Sequence, residues 1–83
     1  MIWKAEKEMQ TDVRKWKVQY FVDASDGASG GYSIGIDDGE NRRIARGFCV
    51  DREEAVRVAK ILWRMGVTPV TFFDIVEDYL AMR

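Results

Sequence analysis

Between Val13 and Val22 the chain alternates. Trp16, Val18, Tyr20 and Val22 share one parity, and Lys15, Lys17, Gln19 and Phe21 share the other. That period of two predicts a strand with one buried face. Asp23 to Gly31 then gathers Asp, Ser and three glycines, residues that stop a strand and predict a mobile connection. Tyr32, Ile34 and Ile36 alternate with Ser33, Gly35 and Asp37, and Asp38-Gly39 follows as a hairpin turn, so a second strand runs from Tyr32 to Asp37. A third strand is expected from Arg42 to Val50. Its alternation sets Ile44, Phe48 and Val50 inward and Arg43, Ala45, Gly47 and Cys49 outward. Arg46 is the one charge on the inward parity, where a long side chain reaches an edge to keep its charge in water.

After Val50 the period changes to 3.6. Asp51-Arg-Glu-Glu54 places an acceptor ahead of a helix, with a glutamate three residues on. Ala55, Val58, Ala59, Leu62 and Met65 form a stripe that Val56 and Trp63 widen, and Gly66 stands where a left-handed cap is needed. A helix from Arg52 to Met65 follows. Thr68-Pro69 marks a second N-terminus, with proline at the first helical position, and a second helix is expected from Pro69 to Ala81. Its apolar residues Val70, Phe72, Phe73, Ile75, Val76, Tyr79 and Leu80 cover more than one face.

These elements predict an α+β fold, a three-stranded antiparallel sheet followed by two helices. Antiparallel pairing follows from the short connections, since a parallel pair needs a crossover of about a dozen residues. The expected core is Trp16, Val18, Tyr20, Ile34, Ile36, Phe48, Val58, Leu62, Val76 and Leu80. Residues 13–83 read as a single domain, and 1–12 as a partly ordered N-terminal arm.

Composition narrows the chemistry. At 83 residues the chain has no room for a second folding unit, and 47% hydrophobic residues exclude the disordered class. Histidine is absent and Cys49 is the only cysteine. Imidazole bases, Ser-His and Cys-His pairs, internal disulfides and thiolate zinc sites all fall away together. Met1 to Gln10 interleaves Lys4, Glu6, Lys7 and Glu8 with apolar residues, unlike a signal peptide or a membrane span, so a cytoplasmic location is expected. The 13 basic and 14 acidic residues leave a net charge of −1, so any basic surface must be local.

Several groupings invite a functional reading. Asp37, Asp38 and Glu40, with Asp23 and Asp26, offer hard oxygen ligands for a cation, but their spacing fits no known loop, and Asp-Asp-Gly-Glu is what a hairpin turn prefers. Gly27, Gly30, Gly31 and Gly35 run into a strand and not into the helix that a phosphate loop requires. Cys49 has no base beside it in sequence. No catalytic residue, cofactor or metal is assigned, and the chain is expected not to be an enzyme. Arg57, Lys60 and Arg64 repeat at three and four residues on the first helix, and Asp74, Glu77 and Asp78 do so on the second. Opposite-sign faces of this kind suit an interface with a protein partner or a second copy.

Trp16 to Leu80 also carries a resemblance. Tyr32-Ser-Ile-Gly-Ile36, Asp51-Arg-Glu53, Gly66-Val-Thr-Pro-Val70 and Asp74-Ile-Val-Glu-Asp-Tyr-Leu80 resemble a family of small bacterial proteins with no assigned activity. The resemblance implies three strands followed by two helices, and no function.

The expected role is a non-enzymatic interaction module acting through self-association, as a homodimer, or through another protein partner. Phe72, Phe73 and Tyr79, with the basic Arg57, Lys60 and Arg64, are the expected contact residues. No membrane and no small-molecule substrate is implied. The alternative is a nucleic-acid-binding domain using a basic sheet face of Arg14, Lys15, Lys17, Arg42, Arg43 and Arg46, beside Phe21.

Overall fold

A computed structural model describes residues 1–24 and 31–82. The centre of the glycine-rich connection, including Asp26, Gly27 and Gly30, lies outside the described residues. Four antiparallel strands precede two helices: β1 (Trp3–Gln10), β2 (Lys15–Ala24), β3 (Tyr32–Asp37), β4 (Arg42–Cys49), α1 (Arg52–Met65) and α2 (Pro69–Ala81). The sheet order is β1-β2-β3-β4. The expected α+β class therefore holds, with four strands in place of three.

The additional strand is the N-terminal arm. β1 pairs along its whole length with β2, from Trp3 opposite Val22 to Gln10 opposite Lys15. Trp3, Ala5 and Met9 face the helices, but Lys7 shares their parity and interrupts the apolar alternation that marks a strand in sequence. Lys7 has a structural task there. Its ammonium donates to the carbonyls of Trp63 and Arg64 at 3.0 and 3.1 Å, capping the C-terminal end of α1, where carbonyls lack partners further along the helix. Trp63 reciprocates, its indole N–H donating to the Glu6 carbonyl at 3.0 Å. Val13 and Arg14, expected in a strand, belong to the β1–β2 turn closed by the Thr11 amide donating to Arg14 O.

Both helices lie on one face of the sheet. α1 packs mainly on β2 and β3, and α2 on β4 and β3. Asp51 caps α1 by accepting from the Glu53 amide at 2.9 Å, and Gly66 ends it in the left-handed conformation. Thr68 makes no side-chain cap, so α2 starts on Pro69 and on the Thr71 amide donating to Thr68 O. The link is short and the far end of α2 returns to the start of α1, so the two helices run in opposite directions. Tyr79 ties them by donating to Glu54 at 2.8 Å.

The core joins Val18, Tyr20, Val22, Ile34 and Ile36 to Ala55, Val58, Ala59, Leu62, Phe72 and Val76, with Phe48, Cys49 and Val67 at its margin. Two expected core residues depart from this. Leu80 is 43% exposed, because it falls on the outer flank of α2, and Trp16 is half-buried. Met65, counted in the α1 stripe, is also exposed.

The third predicted strand changes phase. Ile34 pairs with Ala45 but Tyr32 with Cys49, so β4 carries two extra residues, and Gly47 accommodates the bulge at φ +58°. Ala45 faces the core side because it pairs with Ile34, and beyond the bulge both Phe48 and Cys49 are buried. Ile44 and Arg46 lie on the opposite face with Phe21, and Val50 is exposed. A strict alternation cannot register such a bulge.

Tyr20 is fully buried and its hydroxyl donates to Val67 O at 2.6 Å. Burial pushes its pKa up to about 12, from 10.0. The folded state therefore holds the neutral phenol more firmly than the unfolded chain does. This contribution is complete below about pH 10 and is lost as the pH rises through about 12, a loss of about 2–3 kcal/mol. Urea unfolding across that window checks it. Tyr20→Phe should abolish this part of the alkaline loss while costing about 1–3 kcal/mol at neutral pH, since Val67 O loses its donor; a variant with an unchanged alkaline profile would contradict the assignment.

Candidate functional site

The two outer surfaces of this molecule treat charge differently. On the open face of the sheet, cations sit opposite acids across the strands: Lys15 with Glu8 and Lys17 with Glu6 at 3.5 Å, and Arg42 with Asp37 at 3.7 Å. Arg14 in the β1–β2 turn pairs with Glu40 at 3.0 Å and covers Trp16. Register produces these pairs. Glu6 lies opposite Gln19, and Glu8 directly opposite Lys17, so each acid has a lysine within diagonal or direct reach. At the centre of the face Phe21 lies over Gly35, and the Arg42 guanidinium stacks 4.9 Å above its ring.

The remaining cations of the sheet do not form one surface. Arg43 shares a parity with Ile36 on the helix side of β4, whereas Arg46 lines a hollow with Phe21 and Ile44 on the other side. The basic sheet expected from Arg14, Lys15, Lys17, Arg43 and Arg46 is thus partly neutralised and divided between two faces.

The acidic turn is occupied by its own backbone. Asp37 accepts from the Gly39 amide at 2.8 Å, and one Asp38 oxygen accepts from the Glu40 and Asn41 amides at 2.9 and 2.7 Å. The Asn41 amide leads in holding the Asp38 carboxyl below its ordinary pKa. Among the described residues, no group of three or more potential ligands gathers in a way that could hold a metal ion. Cys49, expected to point outward, is buried and its thiol donates to Asp51 O at 3.3 Å.

The helix layer presents a contrasting pattern. Arg57, Lys60 and Arg64 are exposed along the crest of α1, and Asp74, Glu77 and Asp78 along α2, which contains no cation. Among the described residues all ion pairs lie on the sheet, its turns and the chain terminus, and none involves these six. Like charges three and four apart on a helix cost roughly 0.2–0.5 kcal/mol per pair. Asp78 also sits near the C-terminal end of α2, where the helix dipole disfavours an anion. On α1, by contrast, Arg64 stands in the last turn, where the dipole favours a cation, and Arg57 follows Glu53 by four residues, so only the acidic row on α2 is placed against the stability of its own helix.

Apolar surface accompanies these charges. Ile61 and Met65 on α1 and Val70, Phe73 and Leu80 on α2 are all exposed. Beside α1 runs an open groove of about 660 Å³, with Ile2, Trp3, Val56 and Ile61 as its apolar lining, Arg52, Arg57, Lys60 and Arg64 as cations around it, and Glu53 as its single acid. Of the three expected contact aromatics, Phe73 is 42% exposed. Tyr79 is half-buried, stacked 5.5 Å from Phe48, and Phe72 is wholly in the core. Phe72 is therefore not a surface residue: its position on α2 points between the helices and the sheet. Ile2 and Val56 were missed. The first belongs to a segment that the sequence marks only as an arm, and the second reads as part of the buried stripe.

The geometry defines a class of small α+β domain, a four-stranded antiparallel meander covered on one side by a helical hairpin. Across residues 1–82 the chain matches a family of unknown function (DUF6514), and it belongs to that family. No curated protein and no solved structure matches it. Among the described residues no helix is long and apolar enough to cross a membrane.

Proposed function

We propose that this chain is a non-enzymatic protein-binding module that docks through the outer face of its two-helix layer. The observation that supports this reading is the contrast in charge placement: acids and cations pair across the sheet, whereas Arg57, Lys60 and Arg64 on α1 and Asp74, Glu77 and Asp78 on α2 form rows of one sign with no ion pair among the described residues. Exposed cations around an apolar groove suit an acidic amphipathic helix of a protein partner, because rim charges orient the encounter while apolar side chains leave water. The absence of histidine is consistent with a binding role. Nucleic-acid binding through the sheet has less in its favour, since Arg14, Lys15 and Lys17 already face acids.

A designed helical peptide with an Asp/Glu stripe beside a Leu/Phe stripe tests the reading by fluorescence anisotropy. Binding should be saturable and should weaken about tenfold or more with Arg57→Glu and Lys60→Glu together. Lys15→Glu with Lys17→Glu should leave it unchanged. A lysine-substituted peptide that binds as well would overturn the reading. Tight binding of duplex DNA with a steep salt slope, lost on changing Arg43 and Arg46, would favour the nucleic-acid alternative.

A further inference from the structure

We propose that the occupant of the helix layer is a second copy of this chain, bound so that α1 of each copy lies on α2 of the other. The inference rests on reading that layer as a docking surface. It starts from the arrangement of the two crests: antiparallel helices side by side on one face of the sheet, α1 with Arg57, Lys60 and Arg64 outward, α2 with Asp74, Glu77 and Asp78 outward.

Two such layers can meet face to face around a twofold axis in two simple ways. An axis crossing the helices sets α1 on α1 and α2 on α2, so like charges oppose. An axis parallel to the helices carries α1 of one copy onto α2 of the other, and the reverse contact forms with it. Both basic crests then meet acidic crests. The charge pattern selects the second arrangement, and because each surface is used once the assembly closes as a dimer and builds no filament.

Size and surface chemistry agree with this. Helices of 14 and 13 residues make a face roughly 20 Å on each side, the scale of a contact burying on the order of 1,000 Å² in total. Ile61, Met65, Val70, Phe73 and Leu80, exposed in the single copy, belong to the same layer. The like-charge rows on each helix, unfavourable in isolation, acquire opposite neighbours. The dimer is a four-helix layer between two sheets, with the paired charges of each open sheet face left to solvent.

Light scattering after size exclusion tests this on the full chain. The wild type should have dimer mass at about 0.1 mM chain and about 50 mM salt, and move toward monomer at about 0.5 M salt, where screening extends to a few ångströms. Reversing the α1 crest (Arg57→Glu, Lys60→Glu, Arg64→Glu) or the α2 crest (Asp74→Lys, Glu77→Lys, Asp78→Lys) should give monomers. Mixing the two variants should restore dimer mass, since in that pair alone every α1 again meets an α2 of opposite sign. Circular dichroism establishes that each variant folds, and the wild-type salt response stands without them.

A wild type that stays monomeric at about 1 mM and low salt would overturn the second-copy inference. Binding of the designed acidic peptide would still decide the reading of the layer. A dimer that persists in both reversed variants would likewise overturn the second-copy inference, because association would then lie elsewhere, and a helix layer that also fails to bind the acidic peptide would overturn the reading as well.

Discussion

Replacing Phe72 by alanine should lower stability by about 3–5 kcal/mol, the usual cost of emptying a buried phenylalanine site. For a domain of this length, whose whole stability is of the order of 4–12 kcal/mol, that is a large share. Phe72 is fully buried and packs edge-to-face on Phe73, ring centroids 5.2 Å apart. Phe73 should behave differently. With 42% of it in solvent, Phe73→Ala forfeits partial burial and one ring contact, about 1–2 kcal/mol. Urea unfolding of the two variants measures the difference directly. Equal costs would mean that α2 is rotated on the sheet relative to the arrangement described above.

Gly35→Ala should cost about 3 kcal/mol, the upper part of the range for overpacking. A Cβ at Gly35 would fall within the Phe21 ring. That ring is 4% exposed and has Arg42 stacked on it, so it cannot swing aside without losing its contacts. The cause is open to a double-mutant cycle. Placed in a Phe21→Leu background, Gly35→Ala should cost at least about 1 kcal/mol less than in the wild type, read as a smaller fall in melting temperature at about 4–8 °C per kcal/mol. Additive costs would place the strain in the backbone of β3 and away from the Phe21 ring.

Whatever the sequence signals locally, the structure largely keeps. α1 begins at an aspartate whose side chain accepts from the Glu53 amide and ends at a glycine, and α2 begins at a proline. These devices act within a few residues, so a single sequence reveals them. β2 and β3 were legible because their buried faces alternate without interruption. Features fixed by distant partners were not. Lys7 breaks the alternation of β1 for the sake of carbonyls 56 and 57 residues away, and the bulge at Gly47 shows itself only against the register of β3. On α2, apolar residues on several sides left the burial direction open until the sheet placed Phe72 inside and Leu80 outside. The candidate site follows the same division. Arg57, Lys60 and Arg64 were legible from helical spacing alone, whereas the neighbourhood of Ile2 and Trp3 depends on β1 forming.

The bond from Trp63 to the Glu6 carbonyl and the anchoring of Lys7 under α1 bear on how this protein avoids sticking to itself wrongly. Without the first ten residues, β2 would become the border of the sheet. Its Val18, Tyr20 and Val22, the most apolar strand face in the molecule, would then stand beside a row of unpaired amides and carbonyls, the template on which foreign strands assemble. β1 takes that border position with Lys4, Glu6, Glu8 and Gln10 on its open side, and it is tied to α1 by the Trp63 indole and the Lys7 ammonium. The segment that reads as a partly ordered arm thus occupies the sheet border that β2 would otherwise expose.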